Sequence, residues 1–210
     1  MPNWCNNSVE IVGPRDKIRA VWEAAQAEQS GLLNALCPQP ADLFQGNLGT
    51  AEREQCAEQG IPNWYDWNVS NWGTKWDVSL EGLEYEEDKD GNFDNGTGEP
   101  YARITGWFDS AWAPPTNAIA TFSEANPDVR VTIDYYEPGM CFVGRMIADE
   151  GEVQLDEYVE YSDATSKTVR ELVGDDMCDH WNLEEELASY EEDEENLEID
   201  LDGGLSAINE

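Results

Sequence analysis

The sequence predicts an α+β protein built on a split βαβ sheet, and three observations carry that expectation. Segments with period-two alternation and segments with helical spacing follow one another as β-α-(insertion)-β-β-α-β up to residue 137. Of the 210 residues, 9 are Trp, 8 Tyr and 5 Phe, and 40% are apolar, enough large side chains to fill a core. Asp149-Glu150-Gly151 then joins two further alternating runs, a hairpin that extends the sheet.

Each element has its own signal. Residues 4–12 (WCNNSVEIV) read as a strand ending at Gly13, and Pro14 suits the first turn of a helix. Ile18, Val21, Trp22 and Ala25 recur at helical spacing and carry that helix to about Gln29. Residues 31–76 read as an insertion, with a short helix near 50–59 and Pro62 after it. The run DVSLEGLEYEE (77–87) predicts a strand, residues 88–98 a polar Gly-rich turn, and YARITGWF (101–108) the returning strand. Pro114 and Pro115 open a helix through Ile119 and Phe122 that stops at Asn126-Pro127. Strands follow at 129–137, 141–148 and 152–161, then helices from Ser166 to Val173 and from Asn182 to about Glu195. The order is the ferredoxin-like pattern, a term for the fold that implies no iron–sulfur cluster. The expected organisation is a ferredoxin-like domain over 1–161 and an acidic helical module over 162–210.

Charge restricts function more than fold does. The chain carries 46 acidic against 11 basic residues, a net charge of −35. Such a surface repels phosphate, so direct binding of nucleic acid or of an anionic membrane is not expected. The charge is uneven: residues 149–210 hold 23 acidic and 2 basic side chains, and residues 1–148 hold 23 and 9. No apolar window is long enough for a membrane-crossing helix, and MPNWCNNSVEIVG lacks the basic flank and apolar stretch of a signal peptide. Five cysteines at wide spacing with no CxxC predict reduced thiols and a cytoplasmic setting.

Four motifs recur to the eye: Asn3-Trp4-Cys5-Asn6-Asn7, Asn71-Trp72-Gly73-Thr74-Lys75-Trp76-Asp77, Ala111-Trp112-Ala113-Pro114-Pro115, and Tyr136-Glu137-Pro138-Gly139-Met140-Cys141-Phe142-Val143-Gly144. In this order they resemble the YubB-like family of plasmid and phage proteins with a ferredoxin-like domain. The resemblance spans roughly residues 1–160 and implies the fold and a home on mobile elements, with no catalytic residues. Read physically, Trp72, Trp76 and Trp112 are expected to anchor the core. Gly73 and Gly139 are expected to make turns, and Lys75 to pack its stem on an indole.

Few constellations carry chemistry. Asp88, Asp90, Asn92, Asp94 and Glu99 fall at calcium-loop spacing, but Phe93 stands where that loop needs glycine, so a hairpin turn is the expectation. No GxSxG, GxGxxG or GxxxxGK[ST] occurs, no metal site is evident, and no cofactor is called for. The acidic module is the informative feature. Glu184, Glu185, Glu186, Glu191, Glu192, Asp193, Glu194 and Glu195 on one helix would give a charge per ~2.3 Å of axis, against ~1.7 Å for duplex DNA. Leu183, Leu187 and Tyr190 would dock that helix on its own domain, and Glu84, Glu86, Glu87 and Asp88 would add a second patch. The expected partner is a basic nucleic-acid-binding protein of a host defence system, whose DNA or RNA site this chain would occupy as a mimic. Salt adaptation, suggested by only 4 lysines, and carboxylate-held metal catalysis are the alternatives.

Overall fold

The computed structural model describes residues 2–28, 30–89 and 99–190. Its strands are β1 (Trp4–Pro14), β2 (Leu83–Glu87), β3 (Tyr101–Ala111), β4 (Arg130–Glu137), β5 (Phe142–Asp149) and β6 (Glu152–Glu160). They form one sheet in the order β2-β3-β1-β4-β5-β6, with antiparallel neighbours throughout. The first four strands in that order are the ferredoxin-like arrangement, and the hairpin β5–β6 extends it on the β4 side. The hairpin turns on two residues, Glu150 and Gly151, both at positive φ (54° and 82°), which matches the right-handed twist of its strands.

Strand alternation sends two sets of side chains to two faces. One face of β1, with Val9 and Ile11, packs with Ile104 of β3 and Val131 and Ile133 of β4. Helices α1 (Arg15–Ala25) and α5 (Thr116–Ala125) cover it through Ile18, Val21, Ile119 and Phe122. The insertion supplies α2 (Leu32–Leu36), α3 (Thr50–Gln59) and α4 (Trp64–Trp72), of which α2 adds Leu32, Leu33 and Leu36 to that core.

The predicted strand at 77–87 is shorter than expected. Asp77 is committed elsewhere: its Oδ1 accepts from the backbone N–H of Leu33 and of Val78, both at 2.8 Å, and its Oδ2 accepts from Asn34 N–H at 3.2 Å. The Val78 carbonyl takes the N–H of Leu32 at 3.0 Å. These bonds cap α2 and hold 77–81 off the ladder; the Gly82 carbonyl accepts from Trp107 N–H at 2.9 Å and the paired register begins at Leu83.

The second face is covered by the C-terminal segment. A 3-10 turn (Tyr161–Asp163), α6 (Ser166–Val173), α7 (Asp175–His180) and a helical stretch at 183–190 lie against it. Val169, Val173, Cys178, Leu183 and Leu187 share a core with Tyr136 of β4 and Val143 of β5. The stripe expected to dock this segment does so: Leu183 and Leu187 are buried and Tyr190 packs beside them. Arg145 of β5 clamps the layers, pairing with Asp134 (2.5 and 3.0 Å) and donating to the Val173 carbonyl at 2.9 Å. Helix α7 was not expected from the sequence. All five cysteines are free thiols.

Of the three tryptophans expected in the core, only Trp72 is there, 2% exposed, with its indole N–H on the Cys37 carbonyl at 2.8 Å. Trp76 and Trp112 stand at the surface, 38% and 47% exposed. Lys75 behaves as expected, with Nζ 4.4 Å from the Trp76 ring centroid.

Candidate functional site

The predicted acidic residues that are described do not form one uniform row. Glu184, Glu185 and Glu186 are exposed in the first turn of the 183–190 helix, where the helix dipole favours them. Two of them also have a partner inside the chain. Glu184 accepts from Arg170 at 3.0 Å and Glu185 from the Asn182 carboxamide at 2.6 Å. Arg170 also holds Asp175 and Asp179 of α7, at 2.8 and 3.3 Å. Glu191, Glu192, Asp193, Glu194 and Glu195 lie outside the described residues, as does most of the 88–99 loop considered for calcium.

The strand patch divides between the two faces of the sheet. Glu84 and Glu86 point to one side, where Arg103 donates to Glu86 at 2.7 Å. Glu87 points to the helix side, where it pairs with Arg19 and takes the Tyr85 hydroxyl at 3.0 Å. Hydrogen bonds from Arg19 and Tyr85 hold the Glu87 carboxyl below its ordinary range. Asp88, partly buried, follows the end of β2. Acidic residues that sequence reasoning did not single out lie on β6, the edge strand among the described residues: Glu152, Asp156, Glu157 and Glu160 are all exposed.

A depression of about 690 Å³ was not expected at all. It is built where three of the four motifs meet. Antiparallel register sets Trp4 opposite Ala111, Asn6 opposite Asp109 and Ser8 opposite Trp107. Asn7 points the other way; its carboxamide donates to the Cys5 carbonyl (2.8 Å), the Phe108 carbonyl (3.2 Å) and Ser110 Oγ (2.9 Å), which locks β1 to β3. Trp76 leans on Trp4 with centroids 6.1 Å apart. From the C-terminal segment, His180 stacks on Trp107 at 4.0 Å and Trp181 meets its edge at 5.9 Å. The fourth motif supports the rim: buried Glu137 accepts from Gly139 N–H at 3.2 Å and from Met140 N–H. A Cβ at Gly139 would lie 2.5 Å from Asn3 Nδ2, so the Asn3 carboxamide packs closely over this turn.

One signal for this cleft was present in the sequence. Trp4 falls in the same phase of its strand as Asn6, Ser8 and Glu10, the polar phase, while Cys5, Val9 and Ile11 occupy the buried one. The contribution of His180 and Trp181 had no local signal, because it depends on how the C-terminal helices cross the sheet. Burial raises the Cys5 thiol under the floor to about 12, so it stays protonated. Among the described residues no group of three or more His, Cys, Asp or Glu side chains could hold a metal ion, and no helix is long and apolar enough to cross a membrane.

Comparison with known proteins adds two findings. Residues 84–200 match the family model described as the ferredoxin-like domain in Api92-like protein; the match begins at β2 and takes in the C-terminal helices. The crystal structure of a protein api92 from Yersinia pseudotuberculosis is similar at 11% identity, covering 79% of this chain and 100% of that one, with a TM-score of 0.41. No curated protein matches the chain.

Proposed function

Given that the chain belongs to the family of the ferredoxin-like domain in Api92-like protein, we propose that it is a stoichiometric inhibitor that acts as an acidic nucleic-acid mimic. In this reading it is a YubB-like protein of a plasmid or phage. It occupies the DNA- or RNA-binding site of a host defence nuclease or effector complex, in the manner of an anti-restriction or anti-CRISPR protein.

The observation that carries the reading is the net charge of −35 and its concentration after residue 149. Compaction opposes such a charge, so a protein that keeps it without need of salt uses it. The exposed carboxylates of β6 support the reading from the fold. They also have a structural use, since charge on a free edge discourages strand pairing. A cationic groove would exchange its counterions for these carboxylates as it does for phosphates.

The test is affinity for purified defence effectors as a function of salt and charge. Binding should weaken steeply between 50 mM and 500 mM salt, and lysine replacements at Glu191, Glu192, Asp193, Glu194 and Glu195 should weaken it further. The fold should persist at 50 mM salt. Unfolding there would assign the acidity to salt adaptation, and salt-independent binding would remove the mimic.

A further inference from the structure

We propose that the tryptophan-lined cleft receives a guanidinium group, an arginine side chain presented by the partner; the inference rests on the reading above that this partner is basic. The charge of the lining selects a cation. Its ionisable residues are Asp77, Glu81, Asp109 and His180, with no lysine or arginine among them. Asp77 is spent on the backbone of α2, which leaves Glu81 and Asp109, both exposed and without an ion pair among the described residues.

The shape selects a flat cation. Along the β1–β3 pair the order is Trp4, then Asn6 beside Asp109, then Ser8 beside Trp107. The carboxylate is therefore set between two indole rows, each about 7 Å away along the strands. A guanidinium is planar, stacks on an indole and meets a carboxylate with two parallel N–H donors; an ammonium offers a point charge only. Trp4, 47% exposed, offers ring surface for stacking, whereas Trp107 already carries His180 on one face and Trp76 carries Lys75 Nζ over its ring, so a guanidinium enters beside rings that already stack. The chain already uses the same contact at the margin, where Lys75 Nζ sits over the Trp76 ring. A phosphate-bearing ligand is disfavoured by the lining charge.

The experiment is calorimetric titration of the full chain with a hexaarginine and a hexalysine peptide at low salt. The wild type is compared with Trp107→Leu and Asp109→Asn, and with Glu23→Gln on α1 as a control. Thermal melting establishes that each variant is folded, with Trp107→Phe as the milder replacement if Trp107→Leu is not. Hexaarginine should bind roughly tenfold tighter than hexalysine. Trp107→Leu and Asp109→Asn should each erase most of that preference while hexalysine affinity changes by less than about twofold. Glu23→Gln should keep it. Equal affinity for both peptides, or a preference that survives both cleft variants, overturns the cleft assignment and leaves the basic-partner reading standing. Failure of both peptides to bind overturns that reading and this inference together. Displacement of hexaarginine by tetramethylammonium or by adenosine, at concentrations where free guanidinium does not displace it, overturns the assignment in favour of that ligand class.

Discussion

Arg145 and Asp134 show how single side chains hold this fold together. Asp134 is 7% exposed, and burial raises its carboxyl above the ordinary value although Arg145 opposes the shift. Removing the arginine would leave a buried carboxylate without its counter-charge and free the Val173 carbonyl. Arg145→Met should therefore cost about 3 kcal/mol in urea denaturation, and amide exchange should rise first in α6. A change below ~0.5 kcal/mol, the scale of ordinary surface substitutions, would mean that the clamp is decorative.

Burial likewise raises the Asp77 carboxyl, the backbone bonds offsetting only part of the effect. An unfolded chain ionises both aspartates near their ordinary value of about 3.9. Between that value and the raised native values the folded protein holds more protons, so stability falls as pH rises through this window. Asp66 acts with the opposite sign. Asn63 and Arg53 hold its carboxyl low, and its contribution is lost only as pH falls below the ordinary value. Glu87, held low by Arg19 and Tyr85, acts in the same sense as Asp66. With both replaced by their amides (Asp66→Asn, Glu87→Gln), urea midpoints should fall on going from about pH 4 to pH 6, and a rise across that interval would contradict the assignment.

Elements differ in how much of them local sequence can specify. Helix α5 was legible because Pro115 and Asn126-Pro127 bracket its apolar spacing, and the β5–β6 hairpin because Glu150-Gly151 is a turn in its own right. Strand β2 was legible only in part. Its predicted first half is held away from the ladder by Asp77, a contact with residues more than forty positions earlier that alternation cannot register. Helix α7 is a six-residue stretch, too short for a period, and exists because Cys178 fills the second core. The cleft was legible only at Trp4, which stands in the polar phase of its strand, because its rings come from four separated segments. Trp76 and Trp112 carry no sequence mark that distinguishes them from buried Trp72.

Where β2 joins β3, two glycines let the backbones touch. Gly106 has φ of 138°, and a Cβ there would lie 2.0 Å from the Gly82 carbonyl oxygen; one at Gly82 would lie 2.3 Å from the Trp107 carbonyl oxygen. The Trp107 N–H to Gly82 carbonyl bond, 2.9 Å, crosses this point. Gly106→Ala should cost about 2 kcal/mol or more and deprotect the β2 amides before those of β1. Unchanged stability and protection would show that the approach is not tight.

At the scale of the whole molecule, the sheet is covered on both faces and the acidic segment is part of that cover. Its apolar residues are spent inward on Tyr136 and Val143, which leaves carboxylates as its outward chemistry. Three of these, Asp175, Asp179 and Glu184, share the single positive charge of Arg170, so the cluster stays acidic. The charge available to a partner includes the exposed carboxylates of β6, those of Glu81 and Asp109 at the cleft, and the acidic residues after 190. The charge itself was fully legible in the sequence, whereas its distribution over the surface was not, because ion pairs such as Arg170 with Glu184 join positions fourteen residues apart.

Competition decides the central claim most directly. Labelled duplex DNA is bound to each of a panel of defence nucleases and effector complexes, and the full chain is added up to a tenfold excess. The account predicts that, for at least one effector, DNA is released at about one equivalent of protein, and that saturating DNA in turn prevents the protein from binding. Retention of DNA by every effector, or simultaneous binding of protein and DNA wherever the protein binds, would contradict it.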